Sequence, residues 1–153
     1  MFRSALTALS SLSVSGVGAN YDVDAVPEAI NRGQLPVLLV LPIETEATRE
    51  GGLFRERGGR FETVAFADGV KTVTATVTHL LLVAPVVSGS GLKTHLPDLI
   101  DLIDNYFSAL AAAVTLGGQL LEPAQVRVEP GLFAYGGVEY VGCAFRHVWI
   151  LSV

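Results

Sequence analysis

The segment Ser88 to Thr94 has the residue types of a catalytic or phosphate-binding loop, and it joins a predicted strand to a predicted helix. It ends in Lys93-Thr94, as a phosphate loop does, but such a loop needs glycine directly before the lysine so that backbone N–H groups can wrap the phosphates. Leu92 occupies that position, and Val87 stands where the first glycine belongs. The segment is therefore interpreted as a flexible connection.

Two side chains are potential nucleophiles, Ser90 and Cys143. A nucleophile elbow requires glycine two residues before and two residues after its serine. Ser88 and Leu92 stand at those positions around Ser90. Cys143 lies on the apolar face of a predicted strand, where a buried, inert thiol is expected, because a reactive cysteine needs a setting that lowers its pKa. No catalytic residue is predicted.

The three histidines are His79, His95 and His147. His79 and His147 fall on apolar faces of two predicted strands and are expected to approach each other across the sheet. A zinc site would need a third ligand, which no nearby carboxylate pattern supplies. Hydrogen-bonded core histidines are the preferred interpretation, and neither a metal nor a cofactor is predicted. A small-molecule or metal-binding domain around this pair remains the alternative from another functional class.

Asp98, Asp101 and Asp104 recur at every third residue of a predicted helix. Paired carboxylates can serve acid–base chemistry. Here they also mark the solvated side of an amphipathic helix and stabilise its positive N-terminal end. The second interpretation is preferred.

The composition indicates an oligomer. Hydrophobic residues make up 50% of the 153 residues and charged residues only 16%, against roughly 25% charged residues in an average soluble domain. A surface this poor in charge is typical of obligate assemblies, whose interfaces resemble a domain core. The net charge of −5 disfavours binding to DNA phosphates. No run of 18 apolar residues occurs, so no membrane helix is expected.

Apolar periodicity predicts the elements that position these residues. Helices are predicted at Phe2–Leu12, at Asp24–Ile30 with Asp24 as N-cap, and at Leu96–Leu116 with Thr94 as N-cap. Strands are predicted at Pro36–Pro42, Phe61–Ala67, Lys71–Val83, Gln125–Glu129 and Val138–Leu151. This order predicts a single α+β domain, with a mostly antiparallel mixed sheet of about five strands, a long amphipathic helix packed on one face and an N-terminal helix.

The segment from Glu44 to Arg60 is polar, glycine-rich and nearly balanced in charge, and it is predicted to be a long flexible loop. Loops of this length in compact domains are usually functional or disordered. It is the candidate assembly interface, and we expect it to order on contact with a neighbouring subunit or with another protein of the assembly. The candidate residues are Arg49, Leu53, Phe54, Arg55, Arg57 and Arg60.

Several stretches resemble the tail terminator and tail completion proteins of tailed phages. They are Tyr21–Pro27 leading into Leu35–Leu39, the threonine-rich strand through His79–Leu82, the helix ending Leu110–Leu116, and Tyr135–Phe145. The resemblance extends from about Tyr21 to the end of the chain. Neck components and tail-tube proteins share similar sizes and mixed folds, so a stopper protein and a tube protein are the close alternatives.

The resemblance implies a virion protein, assembled in the host cytoplasm, that forms a ring at the head-proximal end of the tail tube. Such rings commonly contain six subunits. The ring ends tube polymerisation and offers a surface to the head–tail connector, while DNA passes through its lumen without specific binding. It implies no enzymatic activity and no contact with a membrane.

Overall fold

The computed structural model describes residues 1–42, 47–50, 53–56, 61–66 and 71–152. These residues form two α-helices and eight strands, with one turn of 3-10 helix at Arg32–Gln34. The helices are α1 (Phe2–Ser10) and α2 (Leu92–Ala111). The strands are β1 (Ala19–Tyr21), β2 (Val37–Leu41), β3 (Ala47–Glu50), β4 (Leu53–Glu56), β5 (Phe61–Phe66), β6 (Lys71–Pro85), β7 (Gln125–Tyr135) and β8 (Val138–Ser152).

All eight strands belong to one sheet, in the order β1-β2-β6-β8-β7-β3-β4, with β5 also paired to β6. Among the strand pairs that the structure describes, only that of β1 with β2 is parallel. The strands β5 and β2 share one edge of β6, because β5 pairs with its first residues and β2 with Thr78–Leu82. On its other edge β6 pairs with β8 over almost its whole length.

The hairpin of β7 and β8 turns at Gly136 and Gly137, whose φ angles are 57° and 81°. A two-residue turn with positive φ at both positions matches the twist of the flanking strands and favours glycine at both. The turn keeps β7 in register with β8 along eleven residue pairs.

Both helices pack on one face of the sheet. In α2, Leu99, Leu102, Ile103 and Tyr106 are buried, and the ring of Tyr106 stacks on Phe145 of β8 with centroids 3.6 Å apart. Leu6 and Leu9 of α1 lie in a second apolar cluster that contains Trp149. Burying these side chains is the main free-energy gain of the helix layer.

The opposite face is covered by the segment between β1 and β2. Val26, Ile30 and Leu35 pack against a third cluster that contains Leu39, Leu80 and Tyr140. The segment is fastened by two tyrosines of the β7–β8 hairpin, since Tyr135 Oη donates to the carbonyl of Pro27 and Tyr140 Oη to that of Ile30. The middle of the sheet is therefore buried on both sides.

The α+β class, the mostly antiparallel mixed sheet, the N-terminal helix and the long helix on one face are confirmed. Each of the five strands predicted from the sequence is present, and β1, β3 and β4 extend the sheet further. The helix predicted at Leu96–Leu116 begins at Leu92 and ends at Ala111. It ends early because the chain turns through Leu116, whose φ is +49°, and buries Leu116 beside α1.

Two predictions were wrong. Asp24–Ile30 is not helical. Residues 23–25 form only a turn, the Asp24 carboxylate accepts a hydrogen bond from Arg3 of α1, and Val26 and Ile30 pack against the sheet. The segment 44–60 is not a loop throughout, since 47–50 and 53–56 form an antiparallel strand pair, β3 with β4. That pair is held by β7, where Ala47 lies opposite Ala134.

Candidate functional site

A chain of buried polar side chains runs through the core between the sheet and the helices. Tyr106 Oη lies 2.8 Å from His79 Nδ1 and 2.7 Å from His147 Nε2. The outer ring nitrogens continue the chain, because His79 Nε2 lies 2.8 Å from Asn20 Oδ1 and Trp149 Nε1 lies 3.2 Å from His147 Nδ1. These contacts join β1, β6, α2 and β8.

The direction of every hydrogen bond in this chain follows from its two ends. Trp149 Nε1 can only donate, so His147 accepts at Nδ1 and carries its proton on Nε2. His147 then donates to Tyr106 Oη, and Tyr106 donates to His79 Nδ1. His79 therefore carries its proton on Nε2 and donates to Asn20 Oδ1.

The Asn20 end of this series of hydrogen bonds is fixed as firmly as the Trp149 end. Asn20 Nδ2 donates to the carbonyls of Leu9 and Leu12, both at 3.2 Å, at the C-terminal end of α1. This orientation leaves Oδ1 of the amide as the acceptor for His79. Each of the five side chains thus has its polar atoms satisfied, as buried polar networks require.

Both histidines are neutral at neutral pH. Burial lowers the pKa of His79 well below its ordinary value, and the neighbouring His147 lowers it further. Burial lowers the pKa of His147 to about 3. The pKa of Tyr106 is raised by burial and by Cys143. The cause is the same in each case, because a low-dielectric interior disfavours the charged form.

The geometry shows what a metal ion at His79 and His147 would have to displace. The two rings approach to 6.4 Å between centroids, and Tyr106 Oη lies within hydrogen-bond distance of a nitrogen of each ring. All four ring nitrogens are engaged in hydrogen bonds, and both residues are 0% exposed. No group of three metal-ligating side chains occurs in the part of the chain that the structure describes.

The predicted loop Ser88–Thr94 is shorter in the structure, because α2 already begins at Leu92, with Gly91 and not Thr94 as its N-cap. Ser90 Oγ lies 2.9 Å from His95 Nε2, beside a shallow cleft of about 300 Å³ that Arg32 also lines. A nucleophile and base of this kind also need a third group that orients the base. Within the described ranges, no hydrogen bond to His95 Nδ1 is present.

The three aspartates of α2 do not converge. Asp98 and Asp101 line a second cleft, of about 370 Å³, together with Gly16 and Asn105. Asp104 does not line that cleft. The arrangement agrees with the preferred interpretation of a solvated helix side. Cys143 is fully buried, and burial raises its pKa to about 12, so the thiol is protonated.

One side of α2 remains exposed although it is apolar. Leu92, Leu96, Ile100 and Phe107 retain between 40% and 47% of their accessible surface. These four residues are spaced by four, four and seven positions, so they form one row along the helix. We call these residues the α2 row. The face buried on the sheet, which includes Leu99 and Tyr106, lies beside it.

The candidate interface residues lie on the outer part of the sheet. Arg49 belongs to β3, and Leu53, Phe54 and Arg55 belong to β4, the last strand in the order of the sheet. Arg57 and Arg60 fall outside the described residues. The structure thus places four of the six candidates on paired strands.

Sequence analysis missed three members of the buried chain, namely Asn20, Tyr106 and Trp149. One signal was available, because Tyr106 lies on the apolar face of a helix and a buried tyrosine hydroxyl needs a partner. The partners themselves follow from long-range packing, since 59 residues separate Asn20 from His79.

Comparison of this chain with protein-family models, with curated proteins and with solved structures finds no match. Among the described residues, no helix has the length and apolar content needed to cross a membrane.

Proposed function

We propose that this chain is a structural subunit of a tailed-phage virion that closes into a ring, most simply of six copies, at the head-proximal end of the tail tube. The α2 row is the observation that carries the proposal. Four large apolar side chains aligned along one helix form the kind of contiguous patch that marks a protein–protein contact. The low charged fraction of the chain, 16%, points the same way.

In this role the protein ends polymerisation of the tube protein and presents a surface to the head–tail connector. A closed ring needs two different patches on each subunit, each meeting the other patch on its neighbour. The chain offers the α2 row and a separate outer hairpin, β3 with β4. A net charge of −5 suits a lumen through which DNA passes without being held.

The first experiment measures native mass over a concentration series, followed by addition of the protein to growing tail tubes. A terminator gives a discrete closed oligomer that stops tube growth. A tube protein polymerises into open filaments, and a stopper gives a ring that binds the connector and leaves tube growth unchanged. A strict monomer at every concentration contradicts all three structural roles.

A paired substitution tests whether the outer hairpin takes part. We expect Leu53→Asp with Phe54→Asp to preserve the far-ultraviolet circular dichroism and to abolish the oligomer. Leu121→Asp is the matched control, because Leu121 is 49% exposed and lies in neither the hairpin nor the α2 row. Loss of folding in the hairpin variant, or an equal loss of assembly in the control, would refute the role of the hairpin.

A further inference from the structure

A cleft of about 300 Å³ lies where the end of β6 meets the loop before α2. Three polar side chains line it, those of Arg32, Ser90 and His95. Its apolar lining consists of Leu35, Val83, Ala84, Pro85 and Val87. A concave, mostly apolar surface with a few polar groups is the usual form of a small-molecule site, and this volume lies at the small end of the range for such sites.

The polar groups of this cleft favour a negatively charged ligand. Arg32 carries a permanent positive charge, and within the described residues no carboxylate pairs with it. Ser90 Oγ and His95 Nε2 lie 2.9 Å apart, and when the histidine donates to the hydroxyl, the hydroxyl proton is left for a ligand. The helix α2 begins at Leu92, two residues after Ser90, and the N-terminal end of a helix also attracts negative charge.

The second cleft, of about 370 Å³, continues the first, because His95 and the end of β6 line both. We call the two clefts together the β6–α2 groove. Asp98 and Asp101 line its second part, so the groove is basic at the Arg32 end and acidic at the other. The two carboxylates repel any further negative charge on a ligand that binds at Arg32.

We propose that the β6–α2 groove binds a small organic acid that carries a single carboxylate. The carboxylate accepts hydrogen bonds from Arg32 and Ser90, in the charge-assisted form that guanidinium and carboxylate groups make. The apolar part of the ligand covers Val83 and its apolar neighbours. Both clefts are formed within one copy of the chain, so this inference is independent of the proposed ring.

Titration with simple acids, followed by NMR, tests the proposal. The protein carries carbon-13 in its histidine rings, and sodium hexanoate is added at constant pH and ionic strength. His79 and His147 are 0% exposed, so the signal expected to move is that of His95, and the variant His95→Gln assigns it. We expect a saturable shift with a dissociation constant in the millimolar range or below.

Two variants remove one donor each. Arg32→Ala and Ser90→Ala are expected to weaken the binding of hexanoate by roughly tenfold, because each loses a hydrogen bond to a charged group. Lys93→Ala is the matched control, because it removes a positive charge from the start of α2 although Lys93 lines neither cleft. It is expected to leave the affinity nearly unchanged. Unchanged far-ultraviolet circular dichroism verifies that each variant folds.

A comparison of acids tests the polarity of the groove. Adipate has as many carbon atoms as hexanoate but carries a carboxylate at each end, and we expect it to bind more weakly than hexanoate. Asp98→Asn combined with Asp101→Asn is expected to reduce this difference, because the repulsion of the second carboxylate is removed. Inorganic phosphate, which is largely a dianion at pH 7.5, is likewise expected to bind more weakly than hexanoate.

The outcomes separate this inference from the proposed function. The inference is overturned by the absence of a saturable shift with hexanoate, or by an equal loss of affinity in Lys93→Ala and Arg32→Ala. Adipate or phosphate binding to the wild type as tightly as hexanoate also overturns it. A strictly monomeric protein that still binds hexanoate through Arg32 and Ser90 supports the inference and contradicts the ring.

Discussion

Tyr106→Phe removes one oxygen atom from the centre of the buried chain and changes little else. The phenylalanine ring keeps the shape that stacks on Phe145. His79 Nδ1 loses its donor and His147 Nε2 loses its acceptor. Both atoms remain buried, because both histidines are 0% exposed.

The loss cannot be repaired by moving protons along the chain. If His147 moved its proton to Nδ1, two N–H groups would face each other, because Trp149 Nε1 already donates there. If His79 moved its proton to Nδ1, its Nε2 would face Asn20 Oδ1 as a second acceptor. The Asn20 amide cannot reverse without losing its two bonds to the carbonyls of Leu9 and Leu12.

The cost follows from two unpaired buried groups. Each costs about 1–3 kcal/mol, so the substitution is expected to lower the free energy of unfolding by about 2–6 kcal/mol. That is a large part of the stability of an ordinary domain, which is about 5–15 kcal/mol. With a urea dependence of about 2 kcal/mol per molar, the unfolding midpoint falls by about 1–3 M.

The assay is urea unfolding of wild type and variant at one fixed protein concentration, so that the proposed assembly would affect both samples alike. Tyr140→Phe is the matched control, since Tyr140 is 3% exposed and its hydroxyl makes one long hydrogen bond of 3.5 Å to Ile30. It is expected to cost about 1 kcal/mol or less. A Tyr106→Phe variant as stable as this control would refute the fixed direction of the chain.

Two further predictions concern the same core. The pKa values of His79 and His147 are lower in the folded protein than the ordinary 6.5. Below pH 6.5 the unfolded chain therefore binds more protons than the folded protein, and the free energy of unfolding decreases as the pH is lowered. Unfolding at pH 7.5 and pH 5 should differ by about 2 kcal/mol from His147 alone, with a further loss from His79, and a flat profile would contradict their burial as neutral rings. Gly142→Ala places a methyl group against the carbonyl of Leu81 and should cost about 3 kcal/mol or more. Gly131→Ala on the neighbouring strand is the control, because its methyl group meets open space. If both variants lost the same free energy of unfolding in urea, the close approach of Gly142 to the Leu81 carbonyl would be contradicted.

The sequence by itself determined the elements whose pattern is local. The alternation along β6 and β8 and the apolar spacing of α2 indicate strand and helix directly, because side chains repeat every two residues in a strand and every 3.6 in a helix. The class of the fold and the burial of His79, His147 and Cys143 followed from those patterns. The low charged fraction of the chain, 16%, is a property of its composition alone.

Only the tertiary structure decided what depends on distant partners. The strands β3 and β4 carry no alternating apolar pattern, and their pairing with each other and the contact of Ala47 with Ala134 of β7 are visible only in the structure. The end of α2 is set by the burial of Leu116 beside α1, not by the glycines that follow it.

The buried series of hydrogen-bonded side chains separates most clearly what the sequence determined from what the tertiary structure decided. Two of its members, His79 and His147, were recognisable as core histidines, but their protonation is set by Trp149 at one end and Asn20 at the other. A hydrogen bond needs both partners within about 3 Å and in the right orientation. Residues far apart in the chain meet that condition only when packing has brought the sheet and both helices together, which no local pattern encodes.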